Sequence, residues 1–222
     1  MSKLSRGEKG EAKVNKLLLS IKGNNVLIND VTFVNKNSEM SHQIDHIFIH
    51  PHGIFLIETK NYYGEIFVKN QQWKRIVNNK VEKLPDPLRQ NKSHAITLNK
   101  ILKNKYEIIP VVVFVKNNAP YLGDENIINI EDLPLFIDSY PYQKLLSKSD
   151  ISKIKDIIMS SVKDVSKEEH IENITYLKAV KKELIKEKEY AITNGVCPRC
   201  NAKLIIKGNS FKCPNCDFKF SL

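Results

Sequence analysis

No run of apolar residues in this chain approaches the ~20 needed to cross a bilayer as a helix. The amino-terminal stretch MSKLSRGEKGEAKV also lacks the apolar centre of a secretory signal, so export is not expected and the chain reads as cytoplasmic, with no membrane partner. Cysteine is scarce, with only Cys197, Cys200, Cys213 and Cys216 near the carboxyl end, which excludes a disulfide scaffold for everything before them. There is one tryptophan, Trp73, and neither an internal repeat nor a low-complexity tract. What is present, 41% hydrophobic and 27% charged residues over 222 positions, is enough for one main domain and a small appendage.

Acid is thin where base is dense. The formal net charge is +10, and residues 66–105 hold ten Lys or Arg against Glu82 and Asp86, while residues 106–140 lean acidic. A concentrated positive field favours a polyanion, which for a cytoplasmic chain means nucleic acid. A generic solubilising surface is the alternative.

The order of elements is mixed α/β. SRGEKGEAKVNKLLLSI reads as a helix, with Ser5 and Glu8 spaced as a capping box and an apolar stripe at Val14, Leu17, Leu18 and Ile21. NVLINDVTFV (25–34) reads as a strand, followed by a hairpin across Pro-His-Gly and further strands turning at Asn78-Asn79. Pro85 and Pro87 end the sheet, and helical spacing then runs from Pro87 to about Lys105. IIPVVVFV (108–115) suits a strand buried on both faces, NIINI (126–130) a short strand and EDLPLFIDSY a helix. Two helices follow, the second opened by a capping box at Ser166 and Glu169 and closed near Asn194-Gly195. Its residues Ile171, Ile174, Leu177 and Leu184 could cover the main domain or a second copy in a homodimer. The expected boundaries are a main α/β domain at 1–140, a helical connector at 141–194 and a small cysteine-bearing segment at 195–222.

The chemistry concentrates in QIDHIFIHPHGIFLIETKNYYGEI (43–66). With the tight loop at His50–Gly53, Ile49 faces Ile54, Ile47 faces Leu56 and Asp45 faces Glu58, since antiparallel partners keep a constant sum. Lys60 joins the same face through the two-residue period. Two carboxylates side by side repel unless a cation lies between them, and Mg²⁺ or Mn²⁺ suits one or two carboxylates whose remaining shell is water and phosphate oxygen. Lys60 then offers positive charge to the attacking water or to the phosphorane. Helix geometry turns Glu11 toward the sheet as a further ligand and leaves Glu8 to the cap. His42, His46, His50 and His52 could suggest zinc, but His46 and His50 face away from Asp45. Trp73 reads as packing.

The succession of a Glu on the first helix, an Asp on a strand and Glu-x-Lys on the next resembles the PD-(D/E)xK nuclease superfamily. More narrowly, GEKGEAKV, HQIDHIFIHPHGIFLIETKNYYGEI, Trp73 and QNKSH (90–94) resemble the nuclease-related domain called NERD, over about residues 6–115. The resemblance implies a restriction-endonuclease-like α/β core, active-site roles for Glu11, Asp45, Glu58 and Lys60, and a substrate- or water-orienting role for Gln90.

CPRCNAKLIIKGNSFKCPNC places Cys197, Cys200, Cys213 and Cys216 as two C-x-x-C knuckles able to surround Zn²⁺ tetrahedrally. This tail resembles the four-cysteine ribbons at the end of type I topoisomerases. Lys203, Lys207, Lys212 and Lys219 make it basic, while Phe211, Phe218 and Phe220 could pack the ribbon or stack on bases. The combined expectation is a metal-dependent deoxyribonuclease with a DNA-holding zinc ribbon, RNA being a second substrate class. The alternatives are a catalytically inactive nucleic-acid adaptor and a protein-interaction scaffold.

Overall fold

Ser5 opens helix α1 (Arg6–Ser20) by a reciprocal cap: its hydroxyl accepts the Glu8 N–H at 3.2 Å while the Glu8 carboxylate accepts the Ser5 N–H at 2.7 Å. Val14 and Leu18 of the expected stripe are fully buried. The computed structural model describes residues 4–34, 41–123, 126–141, 144–162 and 167–222, with backbone alone at 167–171, 173, 174 and 178. The capping box expected at Ser166 and Glu169 therefore lies outside the described residues, as do the side chains of Ile171 and Ile174.

After α1 come β1 (Val26–Val34), β2 (Ser41–His50), β3 (Gly53–Lys60), β4 (Glu65–Lys69), β5 (Gln72–Val77), β6 (Lys80–Lys83), α2 (Pro87–Ile101), β7 (Ile108–Phe114), β8 (Ile127–Asn129), α3 (Leu133–Ser139) and α4 (Lys148–Ser161). The main sheet is mixed, in the order β1-β2-β3-β7-β8, antiparallel as far as β3 and parallel beyond it. One face packs Phe48, Phe55, Ile57, Val111 and Val113 against Val14, Leu18, Leu133 and Ile137 from α1 and α3. The other packs Ile47, Ile49, Ile54 and Leu56 against Ala95 and Leu98 of α2 and Ile151, Ile154 and Ile158 of α4. Each large apolar side chain buried this way stabilises by roughly 1.5–3 kcal/mol. Helices on both faces of a mixed sheet give the α/β, restriction-endonuclease-like core expected from the sequence.

Proline has no N–H for a central strand, yet Pro110 sits inside β7, opposite Leu56 of β3. It is tolerated because its nitrogen lies on the β8 side: Val115 N–H bonds Lys60 O of β3 while Val112 N–H bonds Asn126 O, and β8 pairs only from Val112↔Ile127. Asn91 of α2 adds a clamp beside it, its buried amide nitrogen donating to Leu56 O and Val111 O, both at 2.9 Å. The same bonds fasten α2 over the carboxyl half of β3. Asp86 caps α2 by accepting the Arg89 N–H at 3.1 Å, with Pro87 in the first turn. The helix ends at Ile101 rather than about Lys105, because Lys103 and Asn104 turn left-handed at φ 55° and 53°.

The β4-β5-β6 sheet turns at Asn78-Asn79, both left-handed at φ 49° and 60°, as a tight two-residue hairpin demands. Trp73 is buried and stacked on Phe114 at 6.2 Å between ring centroids, which makes it a packing residue. Gly64 takes φ 88°, and a Cβ there would meet Ile76 O at 2.0 Å.

The chain divides into two units, Met1–Val165 and Ser166–Leu222. Helix α4, grouped with the connector in the sequence reading, falls in the first. The second comprises α5 (Lys167–Asn194), β9 (Ile205–Lys207), β10 (Ser210–Lys212) and β11 (Lys219–Ser221). As expected, α5 stops at Gly195: its N–H still makes the helical bond to Ala191 O at 3.0 Å, and its left-handed φ of 68° then turns the chain out of the helix.

Candidate active site and cysteine cluster

Strands β1 and β2 pair from Val26↔Ile49 to Val34↔Ser41 but skip Asp30 and Asp45. Asp30 is left-handed at φ 50°, and the inward-facing positions change parity at the break. Ile28 precedes Val31 and Phe33 on one strand, and Ile44 precedes Ile47 and Ile49 on the other, all within one core cluster. The break takes Asp45 out of the ladder. The expected hairpin register holds from His50↔Gly53 to His46↔Ile57, but Asp45 and Glu58 are not ladder partners. Instead an Asp45 carboxylate oxygen accepts the Thr59 N–H at 2.8 Å.

This tilts the carboxylate to the end of β3, where a pocket of about 400 Å³ is lined by Arg6, Glu11, Asp45, Glu58, Thr59, Lys60, Asn61 and Arg75, among others. Glu58 is only 3% exposed. Its Oε1 lies 2.5 Å from Lys60 Nζ, which also donates to Gln90 Oε1 at 3.2 Å. Four of the residues singled out in the sequence thus share one pocket, and Gln90 joins them through Lys60. Glu11 reaches it from α1, while Glu8 is engaged in the cap.

Burial dominates the electrostatics. It pushes Asp45 up to about 7, with help from Glu58 and against the Thr59 hydrogen bond. Glu58 is also raised, by burial first and by Glu11, although Lys60 opposes the shift. Burial works against the Lys60 ammonium, but Glu58, Tyr62 and Asp45 together outweigh it and hold it above its ordinary range. One buried ammonium faces more carboxylate than it can neutralise.

Sequence reasoning missed several members. Arg75 shares a face of β5 with Trp73 and lines the pocket, while Glu82, its ladder partner on β6, binds the guanidinium at 2.5 and 2.8 Å. The period-two alternation from Trp73 would have separated it from the surrounding basic run. His94 of α2 brings Nδ1 to 3.7 Å from Glu58 Oε2, beyond hydrogen-bond range, and meets the edge of the His42 ring at 5.5 Å. His46 turns the other way, with Nδ1 2.8 Å from Asn29 Oδ1.

In the second unit the four cysteines bring their sulfurs together, with Cys197–Cys216 at 3.6 Å, Cys200–Cys213 at 3.4 Å and Cys200–Cys216 at 3.9 Å. A tetrahedron with metal–sulfur bonds of about 2.3 Å has edges of about 3.8 Å, so the thiols are placed to hold one metal ion in the manner of a zinc ribbon. Among the described residues this is the one group of three or more such ligand atoms lying within 4.8 Å of one another. Phe211, Phe218 and Phe220 are buried with Ala191 and Leu204, and Phe211 stacks on Phe220 at 4.6 Å. They pack the ribbon and are not exposed for base stacking.

Among the described residues, no helix is long and apolar enough to cross a membrane. Residues 6–115 match the family model described as NERD, nuclease-related domain. An uncharacterized protein of Bacillus anthracis is 26% identical over 143 residues, covering 61% of this chain and 67% of the relative. No solved structure matches.

Proposed function

Residues 6–115 belong to the NERD family of nuclease-related domains, and on that premise we propose that the chain is a divalent-metal-dependent nuclease that hydrolyses phosphodiester bonds of DNA. The observation that carries this reading is the convergence of Glu11, Asp45, Glu58 and Lys60 on one pocket, with Asp45 and Glu58 both buried and both raised.

The donor set fits Mg²⁺ or Mn²⁺. It is all oxygen, it carries excess buried negative charge, and Thr59 Oγ1 and Asn61 Oδ1 at the same pocket are buried without a hydrogen-bond partner. Asp45 and Glu58 would hold the ion, with Glu11 on the pocket wall reaching its shell through water. Bound there, it supplies a Lewis acid for a phosphate oxygen and makes a coordinated water more acidic.

The remaining work belongs to side chains. Lys60, steadied between Glu58 and Gln90, offers its ammonium to the negative charge that grows on the phosphate oxygens. Gln90 fixes that ammonium and orients water for displacement of one ester oxygen. Arg75 adds a second cation at the pocket. In the other unit, a zinc-loaded ribbon contributes DNA affinity through Lys203, Lys207, Lys212 and Lys219, which meet phosphates rather than bases.

The test is incubation of full-length protein with supercoiled plasmid and with single-stranded DNA in Mg²⁺, Mn²⁺ or EDTA, beside Asp45→Asn and Lys60→Ala. Metal-dependent nicking lost in both variants is expected. DNA bound but left intact by the wild type would overturn the enzymatic reading in favour of a binding module.

A further inference from the structure

The parallel strands β3 and β7 end together: Lys60↔Phe114 is their last pair, and Lys60 O accepts the Val115 N–H at 3.0 Å. Tyr63 and Lys116 therefore leave the sheet at one edge, where ligands of parallel sheets gather. The first turn of α1 is brought to the same edge by Asn61, whose amide donates to Arg6 O at 2.8 Å. A close contact seals this joint, since a Cβ on Gly10 would lie 2.8 Å from Asn61 Cβ.

The result is a half-exposed aromatic ring carrying two cations. The Arg6 guanidinium lies 4.5 Å from the Tyr63 centroid and Lys116 Nζ 4.4 Å from it. Ring faces attract cations, but two on one ring repel each other, and an anion relieves that repulsion. The charges acting most on Tyr63 are all positive. Lys116, first by hydrogen bond and then by charge, lowers the phenol below its ordinary range, helped by Arg6 and Lys13. Arg6 also lines the carboxylate pocket, so the patch adjoins the place where the bond would be cut.

We infer that Arg6, Tyr63 and Lys116 form a phosphate-binding subsite that grips the backbone of a nucleic-acid strand next to the scissile phosphate. Arg6 and Lys116 contact phosphate oxygens, and Tyr63 is the positioning residue that holds both cations at one point. The identity of the strand as the one being cut rests on the nuclease reading; the binding itself does not.

Binding of a labelled DNA oligonucleotide is measured by fluorescence anisotropy across a salt series, in EDTA, with full-length Asp45→Asn protein so that nothing is cut. Adding Arg6→Gln and Lys116→Gln together lowers the slope of log K against log salt by about 1.4–1.8, the share of two phosphates. Tyr63→Leu weakens binding about 2–5-fold, and Tyr63→Phe recovers part of it, because the ring face remains while the hydrogen bond from Lys116 to the phenol is lost. An unchanged slope in the double variant, or no measurable DNA binding before it, overturns the subsite. Competition by inorganic phosphate as strong as that by oligonucleotide of equal phosphate content would overturn the strand assignment. Plasmid cleavage is scored separately, so loss of the subsite and loss of the nuclease reading give different results.

Discussion

Around the carboxylate pocket the protein is complete before any ion arrives: Asp45, Glu58 and Lys60 hang from a sheet whose two faces are filled by four helices. Around the four cysteines the order is reversed, because strands of three residues and a cluster built on Leu204, Phe211, Phe218 and Phe220 make a core too small to stand alone. On the proposed reading a cation in the first place would relieve an electrostatic cost that the fold already carries, and in the second it would replace a missing core. Open oxygen sites in general serve chemistry, and closed sulfur sites serve structure.

The largest expected effect separates the two regions. Stripping metal with a strong chelator, or Cys213→Ser, unfolds the ribbon, since structural zinc is worth on the order of 10 kcal/mol or more to such a segment. Limited proteolysis should then cut between Lys203 and Lys219 while the melting of the sheet unit stays put. Melting of both together would break the contrast. Next in size is Lys60→Ala, which should lower the cleavage rate constant about 10²–10³-fold and leave ribbon metal content, read by atomic absorption, unchanged.

A smaller effect concerns pH. Asp45 is raised from 3.8 to about 7 in the fold, so its contribution is intact below about pH 4 and is lost as pH rises through about 7. Metal-free wild type should therefore lose on the order of 4 kcal/mol between those limits by denaturant titration, and Asp45→Asn should flatten the decline. Adding Mg²⁺ at pH 8 should restore wild type alone, and at pH 6, where Asp45 still holds its proton, the same addition should release protons measurable by calorimetry. The smallest effect is Ser5→Ala, which removes the cap of α1 and should cost about 1 kcal/mol, read as a lower melting temperature of the sheet unit with ribbon metal retained.

Local chemistry made much of this legible. The Ser5–Glu8 cap, the Asn78-Asn79 turn and the hairpin from His50 to Gly53 each depend on a few neighbouring residues, and the two-residue period carried Glu58 and Lys60 to one face. The skip at Asp30 and Asp45 was not legible, because it depends on β1 and β2 meeting in register. Nor was the role of Asn91, which reaches the carbonyls of Leu56 and Val111 on two neighbouring strands at once. Arg75 was hidden in a basic run. The left-handed turn at Lys103 and Asn104 had no glycine to announce it.

The bond from the Thr59 N–H to Asp45 turns a backbone proton into a gauge. That amide hydrogen senses whether the carboxylate is protonated, ionised or engaged by a cation, so its nitrogen-correlated resonance should move with pH through the Asp45 titration and again when Mg²⁺ is added. Occupancy of the pocket could thus be followed by NMR in the unmodified protein, with no dye, no substrate and no turnover.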